Sequence, residues 1–335
     1  MTLANTVAVA MFAGVVLYAL FGGADFGSGF WDLTAGGARR GARTRALIDH
    51  SIGPVWEANH VWLIYILVFL WTAYPTVFAA MMTTLFVPMI LALLGIVLRG
   101  ASFAFRKYSA TLAQAQLFGV LFAGSSLITP FFLGAVAGAV ASGRVTVDGT
   151  GGLWSSWLHP TSVFGGIIAV GTCALLAGVF LTADAQRSGD SALAEHLRPR
   201  TVAVGIATGV IALVALEPIR RDAPTLSEGL LSRAAPLIVL SAIAGTATLV
   251  LVWMRRYNWA RGTALTAVAS VVIGWGVGQT PWILTDSIRI DDAAGAPATL
   301  MGLLVVVGLA GVLVVPALGY LYWLTQSQKW SVAEH

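Results

Sequence analysis

Long apolar runs recur along the chain, each separated from the next by a short polar segment. A helix needs about 20 apolar residues to cross roughly 30 Å of hydrocarbon. About nine runs approach or exceed that length and predict membrane-spanning helices. They lie near residues 3–33, 54–73, 76–105, 115–141, 161–185, 200–217, 233–254, 262–285 and 299–325. The pattern predicts one integral membrane domain over residues 1–335, folded as an all-α, polytopic transmembrane helix bundle.

Composition supports a membrane protein and excludes a water-soluble one. Hydrophobic residues make up 58% of the 335 residues and charged residues only 10%, whereas soluble domains carry about 25% charged residues. The net charge of +4 comes from basic residues in short connections between apolar runs. Because that arrangement is typical of membrane topology, nucleic acid is not an expected partner.

The basic residues are distributed unevenly between the two sets of alternate connections. One set carries thirteen: Arg39, Arg40, Arg43, Arg45, Arg106, Lys107, Arg187, Arg198, Arg200, Arg255, Arg256, Arg261 and Lys329. The other set carries five: Arg144, Arg220, Arg221, Arg233 and Arg289. Because connections rich in Lys and Arg stay in the cytoplasm, the sequence predicts an exterior N-terminus and a cytoplasmic C-terminus.

Three charged residues fall inside predicted spans, where insertion costs about 2.5 kcal/mol or more and often marks a functional site. Asp25 lies late in the first span, Glu57 early in the second and Arg99 late in the third. Since consecutive spans are antiparallel, we expect all three at one depth near the cytoplasmic side. They could form a structural ion cluster or a proton relay. His60 extends the Glu57 face of its helix by one turn.

Histidine supply argues against haem ligation by this chain. Transmembrane cytochromes need axial His or Met ligands well inside the bilayer. Of five histidines, only His60 lies plainly within a predicted span. We therefore expect this chain to ligate no haem or other metal. Cys173 is expected to be a buried apolar residue.

Three segments resemble signatures of subunit II of cytochrome bd-type quinol oxidases. The most specific, HSIGPVWEANHVWL at 50–63, is similar to Pro-x-Trp-[Asp/Glu]-x-Asn-x-x-Trp-Leu at the start of the family's second helix. GADFGSG at 23–29 resembles Gly-Phe-Asp-x-Gly-x-Gly, and the stretch from Arg99 to Arg106 resembles Arg-x-x-x-Phe-x-x-Arg. The residues that match the first signature are Pro54, Trp56, Glu57, Asn59, Trp62 and Leu63.

The resemblance implies a heterodimer with a larger subunit I of related fold in the bacterial cytoplasmic (inner) membrane. Each subunit is expected to contain two four-helix bundles plus one peripheral helix. Subunit I is expected to hold two haem b and one haem d, to oxidise ubiquinol or menaquinol, and to reduce O2 to water with cytoplasmic protons. The family also allows small single-helix accessory subunits, bound lipids and a structural quinone.

The resemblance also implies roles for individual residues. Subunit II of this family stabilises the haem-bearing partner and helps line a proton path. Glu57 is the leading candidate for the relay, Asp25 and His60 are further candidates, and Arg99 is the charge partner. The unperturbed pKa of histidine, near 6.5, suits a proton shuttle, and a hydrogen-bonded structural role for His60 fits as well.

The chain departs from the family's pattern at two acidic positions. Many members carry a carboxylate where this chain has Gly22, and another where it has Ala104. A proton path that depends on either carboxylate could not run unchanged here. The Gly-Gln-Thr-Pro segment at 278–281 falls where family members have an irregular, proline-broken helix.

Two other functions are alternatives to the oxidase subunit. A secondary transporter or ion carrier would use Asp25, Glu57 and Arg99 as a substrate site. That site would be expected at the midplane, whereas the three residues lie off it. A purely structural assembly subunit would tolerate polar substitutions except through the yield of the complex. The oxidase subunit accounts for the ordered series of motifs and is the leading hypothesis.

Overall fold

Long helices dominate the computed structural model, which describes residues 2–37, 39–52, 56–109 and 111–326. Within these residues, eight helices are long and apolar enough to cross a membrane. A further pair of helices, bent by 117° at a short break, supplies a ninth span. The predicted polytopic all-α fold is confirmed. Pro54 of the first signature and Lys329 of the predicted tail lie outside the described residues.

The secondary structure elements follow one another with short connections. The first seven helices are α1 (Leu3–Leu17), α2 (Gly23–Thr34), α3 (Ala42–Ile52), α4 (Trp56–Ala73), α5 (Pro75–Thr84), α6 (Phe86–Lys107) and α7 (Leu112–Ala141). A π-helical turn, Tyr18–Gly22, joins α1 to α2 within one continuous span. The others are α8 (Pro160–Arg187), α9 (Ser191–Asp222), α10 (Pro224–Leu231), α11 (Ala235–Trp253), α12 (Tyr257–Gln279), β1 (Trp282–Leu284), β2 (Ile288–Arg289), α13 (Ile290–Ala293) and α14 (Pro297–Gln326).

The spans form two four-helix bundles and one peripheral helix, as the resemblance implies. In the first bundle the continuous α1–α2 span packs with α4 and α7, and α6 packs on α7. Helices α8, α9, α11 and α12 form the second bundle. Contacts of α8 with α2 and α7 join the two bundles. The last helix, α14, lies against α1 and α4 at the edge of the first bundle.

The outer part of the third span differs from the prediction, whereas α4 ends at Ala73, where the second span was predicted to end. The chain turns sharply at Tyr74, whose buried hydroxyl donates a hydrogen bond to the Ala4 carbonyl oxygen at 2.7 Å. A second break at the fully buried Leu85 separates α5 from α6. The predicted third span over 76–105 is therefore wrong in its outer part. Because the break at Leu85 lies in apolar sequence, hydropathy alone does not reveal it.

Two later spans also end at different residues from those predicted. Helix α9 extends beyond the predicted span of 200–217 at both ends. At its N-terminus the Asp190 side chain caps the helix by accepting a hydrogen bond from the Leu193 N–H at 3.0 Å. Helix α12 does not reach the end of the predicted 262–285 span. It stops at the 278–281 segment, where the predicted break is confirmed and a short antiparallel hairpin follows.

Ion pairs hold the connections together at two opposite ends of the bundles. At the end predicted to be cytoplasmic, the pairs are Arg45–Asp32, Arg106–Asp49, Arg43–Asp190, Arg261–Asp184 and Arg255–Glu195. At the other end, Arg144 pairs with Asp222. This separation agrees with the division into alternate connections on which the predicted orientation rests.

Close approach of α2 to its neighbours depends on two glycines of GADFGSG. A Cβ atom built on Gly27 would lie 1.8 Å from the Cys173 carbonyl oxygen on α8, and one on Gly29 would lie 2.2 Å from the Ser126 Cβ on α7. Small residues permit such contacts between membrane helices. The glycines therefore fix α2 where the two bundles meet.

Replacement of Gly27 by alanine tests this packing. We expect Gly27→Ala to destabilise the folded protein by about 1–3 kcal/mol, because backbone must move to admit the methyl group. The measurement is the thermal unfolding midpoint of the detergent-solubilised protein. Gly209→Ala is the control, since nothing lies within 4 Å of its added Cβ. Equal midpoints for the two variants would contradict the packing argument.

Candidate functional site

Among the residues that the structure describes, the most buried ion pair joins α2 to α6. Arg99 Nη2 lies 2.6 Å from Asp25 Oδ1, and the two side chains are only 1% and 2% exposed. Both residues lie in spans of the first bundle, so the expected pairing of these two charges is present. A buried pair of this kind is retained only if hydrogen bonds compensate much of the cost of desolvation.

Arg99 has several partners besides the carboxylate. Its Nε donates to Ser126 Oγ on α7 at 3.0 Å, and its Nη2 also approaches the Asp25 carbonyl oxygen at 3.3 Å. The guanidinium lies over the rings of Phe26 and Phe122, at 5.2 and 5.0 Å from their centroids. These hydrogen bonds and cation–π contacts hold the charge in an apolar surrounding and connect three helices.

The Asp25 carboxylate is not fully engaged by Arg99. Its second oxygen, Oδ2, is buried and makes no hydrogen bond of ordinary geometry within the described part of the chain. The Asn59 side chain of α4 faces this carboxylate and also donates to the Phe21 carbonyl oxygen at 3.4 Å. Asp25 therefore has one oxygen in the ion pair with Arg99, and its carboxylate also faces the Asn59 side chain.

His60 lies close to the same group, one residue beyond Asn59. Its Nδ1 is 3.5 Å from the Tyr18 hydroxyl, and its ring packs 5.8 Å from the centroid of Phe26. The residue is half-buried. His60, on α4, is therefore positioned beside the buried pair of Asp25 and Arg99.

Glu57 does not join the ion pair. It lies in the first turn of α4 and is exposed on the surface of the chain. The structure thus brings Asp25 and Arg99 together and leaves the third charge of the expected cluster outside that contact. The side chain of Trp56, which precedes it in the signature, lies outside the described residues.

The depth of Glu57 nevertheless agrees with the expectation. The contact between Asn59 and Phe21 sets the relative height of two antiparallel helices. At a rise of 1.5 Å per residue, Glu57 lies about 3 Å nearer the cytoplasmic end than Asn59, and Asp25 about 6 Å nearer that end than Phe21. The two carboxylate-bearing residues are therefore within about one helical turn in depth.

Glu57 is followed along α4 by a line of exposed apolar side chains. Residues spaced by three and four positions share one face of a helix. The exposed fractions are 44% for Val61, 61% for Ile64, 45% for Val68 and 64% for Trp71. We call Glu57 and these four residues the α4 face. It is an apolar surface with one carboxylate at its inner end.

Sequence reasoning missed a second charge pair between α2 and α6. Asp32 lies seven residues beyond Asp25, and Arg106, which binds Asp32, lies seven residues beyond Arg99. Seven residues of helix correspond to about 10.5 Å, so the two pairs form successive rungs between parallel spans. The equal spacing on both segments was the available signal, and it carries information only once the two helices are known to be neighbours.

The second rung also fixes the cytoplasmic helix α3. Arg45 donates to Asp32 at 2.7 Å, and Arg106 contacts both Asp32 and Asp49. Burial raises the pKa of Asp49, although the nearby Arg106 opposes that shift.

The described residues contain no group of three His, Cys, Asp or Glu side chains placed to hold a metal ion. At the outer end, His159 Nδ1 contacts Asp222 Oδ2 at 2.7 Å, and its Nε2 lies 3.1 Å from Ser162 Oγ. Burial lowers the pKa of His159, with the Arg144 charge acting in the same direction and Asp222 opposing both. Both ring nitrogens of this histidine are thus occupied by hydrogen-bond partners.

Comparison with known proteins gives consistent matches. The family model described as cytochrome bd terminal oxidase subunit II matches residues 3–325. Cytochrome bd ubiquinol oxidase subunit 2 of Bacillus subtilis is 25% identical over 282 residues, which cover 82% of this chain and 81% of the relative. Cytochrome bd-I ubiquinol oxidase subunit 2 of Escherichia coli K12 is 30% identical over 171 residues, 48% of this chain and 44% of the relative.

A solved structure supports the fold along nearly the whole chain. A chain in the structure of bd oxidase from Geobacillus thermodenitrificans superposes with a TM-score of 0.81 at 23% identity. The superposition covers 97% of this chain and 99% of that chain. The arrangement of two bundles and a peripheral helix is therefore shared with a solved bd oxidase chain.

Removal of one partner of the buried pair tests how much the pair contributes to the stability of the folded protein. We expect Arg99→Met to destabilise the protein by about 3–5 kcal/mol, because it leaves Asp25 buried without its counter-charge. Adding Asp25→Asn should recover much of that loss. Unfolding midpoints of both variants and the wild type measure the effect, with the exposed Arg40→Met as control. A single variant as stable as the double variant would contradict the pairing argument.

Proposed function

The chain belongs to the cytochrome bd terminal oxidase subunit II family, and we propose that it acts as the haem-free subunit of a quinol oxidase. It is a multi-pass protein of the bacterial cytoplasmic membrane. The complex oxidises quinol, reduces O2 to water and takes up the protons for this reaction from the cytoplasm, which contributes to the proton motive force. In this proposal the chain stabilises a haem-bearing subunit I and lines part of the proton path.

The partner is proposed to carry the redox centres. Two haem b and one haem d would be ligated by subunit I, in line with the poor histidine supply of this chain. The relatives bear the names of subunit 2 of a bd ubiquinol oxidase, which supports a heterodimer. The contribution of this chain is then protein packing and proton transfer, and no step of electron transfer is assigned to its residues.

The observation that carries the proposal is the carboxylate on the α4 face. An ionised side chain exposed to hydrocarbon costs about 2.5 kcal/mol or more, and Glu57 stands at the inner end of a row of apolar residues. A protein partner that covers the α4 face would bury its apolar side chains and provide polar neighbours for the carboxylate. We propose that subunit I is this partner.

Glu57 would then transfer protons across the subunit interface. Asp25 has one carboxylate oxygen outside its ion pair, and His60 contacts Phe26, whose ring also packs on Arg99. Arg99 compensates the charge of Asp25 when that group is ionised. A proton could thus pass from a buried carboxylate towards a surface that the partner covers.

Neutralisation of Glu57 tests the proposal. We expect Glu57→Gln to slow quinol-driven O2 consumption by about tenfold or more, because the amide cannot exchange a proton as a carboxylic acid does. Haem absorbance per complex should stay unchanged, since the substitution preserves shape. The assay uses the complex of this chain with its subunit I, with turnover normalised to haem.

Glu228→Gln serves as the matched control, because Glu228 is an exposed acid near the opposite end of the molecule. It should leave turnover unchanged. Normal turnover in Glu57→Gln would contradict the relay and favour a purely structural subunit. Ligand-driven flux through proteoliposomes that contain this chain alone would instead favour a transporter.

A further inference from the structure

Among the residues that the structure describes, four exposed arginines at the cytoplasmic end have no carboxylate within salt-bridge distance. They are Arg39, Arg40, Arg200 and Arg256. Every other described arginine at this end forms an ion pair, for example Arg43 with Asp190 and Arg255 with Glu195. The four guanidinium groups therefore remain able to bind an anion from outside the described chain.

Three of these arginines lie at one corner, where the connection from α2 to α3 meets α9. Arg200 Nη1 donates to the carbonyl oxygen of Thr34, the last residue of α2, at 3.4 Å. The connection folds back on itself, because a Cβ atom on Gly41 would lie only 3.0 Å from the Ala35 Cβ. Since Arg40 precedes Gly41, the chain returns it to the end of α2, which is the point that Arg200 contacts.

Arg45 holds this connection in place. Its Nη2 donates to the Gly36 carbonyl oxygen at 2.7 Å, and its Nε donates to the Asp32 carboxylate at 2.7 Å. Gly36 has a φ of +92°, which a residue with a side chain rarely adopts. The connection is thus tied to the buried end of α2, while the side chains of Arg39 and Arg40 stay exposed.

The corner lies at the depth of the membrane surface. Arg198, two residues before Arg200 on α9, donates to the carbonyl oxygen of Trp253 at the end of α11, at 2.9 Å. The Trp253 side chain is 59% exposed, and tryptophans are enriched where lipid meets water. Two residues of helix correspond to about 3 Å, so Arg200 lies at the depth of the phospholipid headgroups.

From Arg200 towards the middle of the membrane, α9 presents an exposed apolar face. Residues spaced by three and four positions lie on one side of a helix. The exposed residues that continue the Arg200 side in this way are Ala203, Ala207, Val210 and Val214. A guanidinium at headgroup depth above such a face matches the phosphate and the acyl chain of one lipid.

We propose that Arg39, Arg40 and Arg200 bind the phosphate of an anionic phospholipid in the cytoplasmic leaflet. Guanidinium groups form paired hydrogen bonds with phosphate oxygens, and basic clusters at the cytoplasmic membrane surface attract anionic lipids. The bound lipid would connect the α2–α3 connection of the first bundle with α9 of the second. This site does not depend on the proposed proton path.

Lipid binding by the purified oxidase tests the site. The complex of this chain with its subunit I is stripped of lipid in a non-ionic detergent and titrated with phosphatidylglycerol or with phosphatidylcholine. Native mass spectrometry counts the lipids bound to each complex. We expect Arg200→Gln, and separately the double variant Arg39→Gln/Arg40→Gln, to raise the Kd of one phosphatidylglycerol about tenfold. Binding of phosphatidylcholine, which has no net charge, should stay unchanged.

Arg256→Gln is the matched control, because it removes an exposed arginine that also lacks a described carboxylate partner from the same end of the molecule. It should bind phosphatidylglycerol as the wild type does. An equal loss of binding in Arg256→Gln would mean that total charge attracts the lipid, and would overturn the site. Binding equal to the wild type in both Arg200→Gln and the double variant would overturn it as well.

Competition separates a lipid site from a site for free phosphate. Inorganic phosphate should displace no more phosphatidylglycerol from the wild-type complex than chloride does at the same ionic strength. Stronger displacement by phosphate would assign the three arginines to a soluble anion and overturn the lipid assignment. The expected result is loss of one phosphatidylglycerol site in the variants, with normal binding in the control and no specific effect of phosphate.

Discussion

The buried ion pair between Asp25 and Arg99 is the contact on which the inner half of the first bundle depends. Two charges inside a membrane-spanning bundle are tolerated only because they neutralise each other and find further hydrogen bonds. Ser126 binds the guanidinium from α7, and the glycines of α2 let that helix come close enough for the contact. Packing and electrostatics therefore require the same arrangement of α2, α6 and α7.

Much of this arrangement could be predicted from the sequence. Hydropathy gave the approximate spans, and antiparallel order placed Asp25, Glu57 and Arg99 at one depth. The direction in which each side chain points was not predictable, because it depends on helix rotation and on neighbours from distant segments. Glu57 therefore turned out to be exposed while the other two are paired. The break at Leu85 was missed because hydropathy reports burial in lipid or protein and not an interruption of the helix.

The contrast between buried and exposed charges suits a subunit that works only in a complex. The buried pair is complete within this chain. Glu57, in contrast, lies on the α4 face beside four exposed apolar side chains. The absence of carboxylates at Gly22 and Ala104 means that a path here must use other groups. The imidazole of His60, which lies one helical turn from Glu57 on α4, is placed to supply one of them.

The most direct test of the account is a density map of the assembled oxidase that resolves side chains and ordered water at the subunit interface. The account predicts that the haem-bearing subunit covers the α4 face and that polar groups or water connect Glu57 with the group around Asp25. A map in which Glu57 faces lipid acyl chains, with no polar connection to Asp25, would contradict it.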